Sequence, residues 1–288
     1  MAETMASSSA VPAKPAPSKW LEPGLLLAVA WLLALLVLAV LAPWLGLVSP
    51  EEADLLATLE SPGAAHWLGT DSLGRDTLSR LIWGGRVSLV VAIGSVAIGL
   101  AIGGALGLVA GFFGSMTDRL IMGVMTVMLC FPGIILAIAL VSSLGPNVGN
   151  VTGAIGVIFV PAFARIARAN TLSLRDREFV LASRLIGASV PRILMREVLP
   201  NLMPALLSYA VVMLGVAILA EAALGFLGLS VRPPQPSWGG MIAAERSSLV
   251  EAPLAVFIPA IWMFLTVLSI NWIGESVRRL FDIKAQTL

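Results

Sequence analysis

Thr171–Pro204 reads TLSLRDREFVLASRLIGASVPRILMREVLPNLMP and lies between two long apolar segments. It sets Arg175, Arg177, Arg184, Arg192 and Arg196 beside Asp176, Glu178 and Glu197. Charge at this density is costly in hydrocarbon, so the stretch belongs at a membrane surface and its neighbours cross the membrane. Glu178–Leu185 predicts a short helix with Phe179, Ala182 and Leu185 on one side. Gly187 then releases the backbone, and Ser189 followed by Pro191 predicts the cap and opening of a second helix. Asn201 and Pro204 mark the return to the membrane. On these residues alone, an amphipathic surface helix held by arginine to anionic membrane lipid competes with a docking site for a soluble partner.

Working outward, the composition is that of an all-α membrane protein. Of 288 residues, 58% are hydrophobic and 12% charged, against about 25% charged in an ordinary globular domain. A bilayer core of about 30 Å requires roughly 20 apolar helical residues. Six spans meet this requirement, near 25–45, 87–117, 120–141, 151–169, 202–229 and 254–273. Residues 1–19, rich in Ala, Ser and Pro, read as a disordered tail; 20–45 is the first span, with Trp20 as an interface anchor. Residues 46–86 form a polar loop, 87–277 the core that includes the charged loop 171–201, and 278–288 a basic tail.

In the second span Gly99, Gly103, Gly107 and Gly111 recur every fourth residue, a spacing that lets helix backbones approach closely. Pro132 and Pro161 each remove a backbone donor within a span and predict kinks. Lysine and arginine set the orientation. With both termini inside, the cytoplasmic segments hold thirteen of these residues and the outer segments five, which places 171–201 in the cytoplasm.

Nothing here assembles a catalyst. His66 is the only histidine, Cys130 the only cysteine, within an apolar run where a buried inert thiol is expected, and no metal-ligand or nucleophile motif occurs. Glu221 is the single ionisable residue inside a span, either facing a pathway or snorkelling toward the outer interface. Gly69, Asp71, Gly74, Arg75 and Asp76 read as a structured turn in the outer loop, stabilising it or meeting an external partner. Pro233, Pro234, Trp238 and Gly239 belong to a second outer turn, PPQPSWGG, in which Trp238 reads equally as an interface anchor or part of an outer gate.

Three stretches carry a family resemblance. In the charged loop, Leu181, Ala182, Ser183, Gly187, Leu199 and Pro200 fall on the spacing of the EAA loop of ATP-binding-cassette importer permeases, with Leu181 and Ser183 replacing two of the namesake residues. HWLGTDSLGRDTLSRLIWGGRVSL at 66–89 and LGFLGLSVRPPQPSWGGMI at 224–242 resemble stretches of the C-type permease of dipeptide, oligopeptide and nickel importers. The resemblance covers about residues 25–282 and implies a six-helix, type I importer permease fold with a cytoplasmic coupling helix. It implies that Asp176, Arg177, Glu178, Phe179, Ala182, Arg184, Leu185, Gly187 and Ala188 meet an ATPase subunit, while Leu199, Pro200 and Asn201 shape the loop's return.

The implied partners are a homologous B-type permease, two cytoplasmic ATPase subunits and an extracytoplasmic solute-binding protein; no nucleic acid is implied. ATP and magnesium would reside in the ATPase subunits, with no cofactor on this chain. A dipeptide or oligopeptide importer is the leading reading. Nickel, nickel-chelate or glutathione import is the alternative within the same machinery. Rivals of another class are an ion-coupled secondary transporter and a non-transporting membrane assembly protein.

Overall fold

The computed structural model describes residues 23–286, with side chains through 279; the expected tail 1–19 and Trp20 lie outside those described, as does the side chain of Lys284. Among the described residues the architecture is helical, with one isolated bridge between Thr70 and Asp76. Helix α1 is described over Pro23–Leu41. It lies against the last helix, α11 (Pro253–Gln286), where Trp31 meets Trp262 edge to face at 5.1 Å and its indole N–H donates to Thr266 Oγ1 at 3.1 Å.

The second span begins at Thr77 rather than at Val87. The Asp76 carboxylate accepts Ser79 N–H at 2.7 Å and caps α2 (Thr77–Ile98). This helix continues through a π-turn at Gly99–Gly103 into α3 (Gly104–Phe113). The sequence reading stopped at Arg86 because it took Arg80 and Arg86 for loop charges. The 37-residue rod is about 55 Å long, so its first turns stand beyond a hydrocarbon core of about 30 Å.

The glycine spacing becomes a close helix–helix seam with α6 (Val148–Leu174). A Cβ on Gly103 would collide with the Val160 carbonyl and one on Gly107 with the Ala164 carbonyl; one on Gly111 would stand 2.7 Å from Thr171 Cβ. Helix packing in lipid relies on such backbone approach, because lipid tails are as apolar as leucine.

The expected span 120–141 is two helices. Helix α4 (Ser115–Leu129) and α5 (Gly133–Leu144) are bent by 84° at Pro132, which cannot donate to the preceding turn. Cys130 is exposed at that bend rather than buried, its thiol donating to the Thr126 carbonyl at 3.3 Å. Pro161, by contrast, sits within α6 without ending it. Helix α6 starts where Asn147 Oδ1 accepts Asn150 N–H at 2.9 Å, and it runs past the expected end at 169 to Leu174.

The charged stretch departs from the expected surface hairpin in its second half. Helix α7 (Glu178–Leu185) is followed by α8 (Val190–Ile193), a π-turn at Leu194–Val198 and α9 (Leu199–Phe226), which form one 37-residue rod. Asn201 and Pro204 therefore lie inside a helix; Asn201 Nδ2 donates to the Glu197 carbonyl at 2.6 Å. Helix α10 (Trp238–Glu245) is short, with Ser237 Oγ accepting Gly240 N–H at 3.2 Å. Among the described residues five helices are long and apolar enough to cross a membrane, and the bent α4–α5 pair is a sixth when counted as one broken span.

Candidate functional site

The two ends of the α2–α3 rod carry the two groups of residues singled out by the sequence. At the end near Phe113, α7 projects from the bundle. Arg177 precedes it in an extended conformation, and Glu178 in its first turn complements the positive end of the helix dipole. Gly187 ends it at φ +78, a value that costs other residues and suits glycine, and Ala188 N–H closes back to the Ser183 carbonyl at 3.0 Å.

Only Val180 of α7 is buried. Asp176, Arg177, Glu178, Phe179, Ala182, Arg184, Leu185 and Gly187 are exposed and Ala188 is half-buried, so the nine residues share one projection. Leu185 is 88% exposed and the adjacent Ile186 is 84% exposed. Two such aliphatic side chains held out by a charged hairpin make an unburied contact surface. Leu199, Pro200 and Asn201 stand apart from it, in the first turn of α9.

Three contacts run from this region into the bundle. The Arg184 guanidinium lies 5.2 Å from the Phe112 ring centre. Arg175 Nη1 donates to the Gly111 carbonyl at 3.2 Å. Arg168 grips Asp118 through Nε and Nη2, joining α6 to α4. All three converge on the α3–α4 joint, where Gly114 (φ +63) and Ser115 (φ +48) take left-handed conformations. Nearby, the buried Thr171 hydroxyl has no partner among the described residues. Periodicity did not disclose these contacts. The sequence signal was an acid, Asp118, entering an apolar run that is later faced by Arg168.

At the opposite end, residues 46–76 fold over the start of α2. Asp71 accepts the backbone N–H of Leu73 and of Arg75 at 2.9 Å each and Arg75 Nε at 2.7 Å, while Arg80 Nε lies 3.3 Å away. Asp76 also pairs with His66 Nδ1 at 3.0 Å. Gly69 (φ +74) and Gly74 (φ +72) press against the Glu60 and Asp54 carbonyls, where a side chain has no room. The expected turn is thus a charged and hydrogen-bonded cap. Glu245 on α10, unnoticed in the sequence, fastens it by accepting Ser72 Oγ–H at 2.9 Å and Ser72 N–H at 3.2 Å.

The second turn packs inward. Pro233 and Pro234 are joined by a cis peptide bond; Trp238 is fully buried and donates from its indole to the Leu81 carbonyl at 3.0 Å. An interface anchor keeps contact with headgroups, so that reading of Trp238 does not fit. Gly239 lies against the Ala222 backbone with no space for a Cβ. Beneath this turn, Glu221 is fully buried and accepts Ser88 Oγ–H at 2.8 Å and the Ser230 hydroxyl. It neither snorkels nor opens on a path in this structure.

Comparisons with known proteins agree with this architecture. Residues 103–283 match the family described as binding-protein-dependent transport system inner membrane component. The glutathione transport system permease GsiD of Pectobacterium atrosepticum is 40% identical over 90% of this chain and 88% of its own length. The dipeptide transport system permease DppC of Alkalihalophilus pseudofirmus is 40% identical over 88% of this chain and 83% of its own. The di/tripeptide permease DppC of Pseudomonas aeruginosa is 43% identical over 88% and 86%. Among solved structures, an inward-facing MetNI methionine ABC transporter in its native CY5 crystal form superposes with a TM-score of 0.56 at 20% identity, covering 70% of this chain and 96% of that one, which speaks to the fold. With the family model spanning most of the helical core and relatives at this identity over nearly the whole length, the chain belongs to the inner-membrane permease components of binding-protein-dependent transport systems and has the type I ABC importer fold.

Proposed function

We propose that this chain is one of two permease subunits of an ATP-driven importer of dipeptides or other short peptides. The observation that carries the reading is the α7 projection, with Leu185 and Ile186 left bare amid charge. The names of the dipeptide and di/tripeptide permease relatives supply the substrate class. The α7 end faces the cytoplasm, with both termini inside, and docks on one of two ATPase subunits. Those subunits hold ATP and magnesium and perform the hydrolysis; this chain is no enzyme. The cap built on Asp71 and the turn around Trp238 face outward, toward a solute-binding protein. A homologous permease completes the path.

Coupling then has a physical route. Closure of the ATPase pair displaces α7, and a displaced α7 carries Arg184 and Arg175 with it. These residues hold Phe112 and the Gly111 carbonyl, so the load falls on the α3–α4 joint at Gly114 and Ser115. Long rods on either side, α2–α3 and α8–α9, transmit the movement to the outer end. The Arg168–Asp118 pair keeps α4 moving with α6.

A second reading within the same machinery is glutathione import, favoured by the GsiD relative at 40% identity. Reconstituting the chain with its partner permease, ATPase subunits and binding protein in vesicles decides between them. Uptake of labelled dipeptide that requires ATP and the binding protein supports the first reading; uptake of glutathione alone supports the second. Transport driven by an ion gradient without ATP would refute both.

A further inference from the structure

The outer end holds a cavity of about 580 Å³ that neither α7 nor the coupling route uses. Three arginines, Arg75, Arg80 and Arg246, contribute to its wall, and none of its lining residues is a carboxylate. Phe226 and Val231 supply apolar wall and Gln235 an amide. Arg75 and Arg80 are 6% and 5% exposed, so their charges are largely removed from bulk water.

Their partners do not use up their hydrogen-bonding capacity. Arg75 donates through Nε to Asp71, which leaves its terminal nitrogens at the cavity wall. Arg80 gives Nη1 to the Pro50 carbonyl at 2.8 Å and the Pro234 carbonyl at 3.4 Å, leaving Nη2 without an acceptor among the described residues. Asp71 is shared by both guanidiniums, and Glu245 and Glu51 add their charge at Arg80, yet burial and the neighbouring Arg75 still hold the Arg80 guanidinium below its usual range. Glu245 is turned to Ser72. Arg246 rests over the Phe226 ring at 5.8 Å and pairs with no carboxylate among the described residues. A buried cation left partly uncompensated is costly, and guanidinium groups present a planar fork that matches a carboxylate.

We propose that this cavity receives the carboxylate of the transported solute, holding the C-terminus of a short peptide by Arg75, Arg80 and Arg246 while its side chains lie on Phe226 and Val231. The proposal rests on the peptide-import reading. The volume falls within the range of about 300–1,000 Å³ common to small-molecule sites. A peptide leaving a binding protein would thus meet a cationic station before entering the path.

The test uses the assembled permease–ATPase complex in lipid nanodiscs and measures equilibrium binding of radiolabelled dialanine and of its C-terminal amide. The acid should bind, the amide about tenfold more weakly, and Arg246→Gln should weaken the acid by about the same factor, the effect of losing one charge-assisted contact. Arg246→Lys should recover part of the loss. Arg246 is exposed, so neither variant threatens folding. Equal binding of acid and amide overturns the proposal. So does a complex that imports dialanine with its binding protein yet shows no saturable binding of the peptide by itself. If Arg246→Gln weakens only capture of the binding protein, the arginines receive an acidic loop of that protein and the proposal also falls. A complex that imports no dipeptide at all counts instead against the peptide-import reading.

Discussion

Replacing Leu185 and Ile186 together by alanine tests whether α7 is the docking element. The two side chains are 88% and 84% exposed, so they contribute little to the fold of the isolated chain. Each substitution removes three carbons, and a buried CH₂ is worth about 0.8 kcal/mol, so complete burial in a partner groove would put the loss near 4–5 kcal/mol for the pair. A groove covers only part of each side chain. Half coverage leaves about 2 kcal/mol, which corresponds to about a 30-fold weaker complex. The assay is titration of the ATPase subunits onto the permease pair in nanodiscs, read by light scattering or biolayer interferometry. The thermal midpoint of the permease pair is measured in parallel and should stay within about 2 °C, the range of surface substitutions of small effect. An affinity within twofold of wild type, with stability unchanged, would refute the claim that α7 carries the apolar contact.

The remaining predictions concern the interior and the coupling route. Gly107→Val should prevent α3 from seating on α6, since its first added carbon would collide with the Ala164 carbonyl; the measured outcome is loss of monodisperse protein in detergent. Phe112→Leu should leave the ATPase subunits bound but lower the number of peptides imported per ATP, because the ring that Arg184 rests on is gone. Glu221→Gln should keep most transport, because an amide still offers an acceptor and the serine hydroxyls can turn to meet its N–H, whereas Glu221→Ala leaves two buried hydroxyls unpaired and a cavity, costing about 3–5 kcal/mol and visible as a lowered melting point. Transport abolished by Gln with stability intact would mean that the carboxylate's charge works on the path after all.

What the sequence disclosed and what it hid divide along a physical line. Apolar length is a local property, and it located the spans because hydrocarbon tolerates little else. Breaks were less legible. Pro132 and Pro161 look alike in sequence, yet the first ends a helix and the second does not. Pro132 follows the end of α4 at Leu129 and caps the start of α5, with Gly133 next to it, while Pro161 is buried in a helix packed on α2, α3 and α9, which hold it in line. The start of α2 was missed for a related reason. Arg80 reads as a loop charge until the Asp71 carboxylate and the Pro50 carbonyl that accompany it are known.

Two polar residues buried on α2 show a pairing that only the folded chain displays, although the Thr171 hydroxyl and the Trp262 indole N–H are buried with no partner among the described residues. Ser88 and Ser95 are fully buried on α2, and each is matched to an acceptor on another helix: Ser88 to Glu221 on α9, Ser95 to the Thr152 carbonyl on α6 at 3.0 Å. Within a membrane no water satisfies a stray hydroxyl, so each such residue requires a partner in the protein. Glu221 was conspicuous in the sequence as a lone charge, and its lack of company suggested a pathway. Its company is Ser88, 133 residues earlier, and Ser230 in the loop beyond α9. The carboxylate therefore ties the start of the α2 rod to the end of the α9 rod and to the turn that buries Trp238, whose backbone N–H reaches the same Ser88 hydroxyl at 3.5 Å. Arg175 and Arg184 hold the other end of the α2–α3 rod, at the Gly111 carbonyl and the Phe112 ring, so that both ends of this rod are tied to other elements by polar or cation–ring contacts.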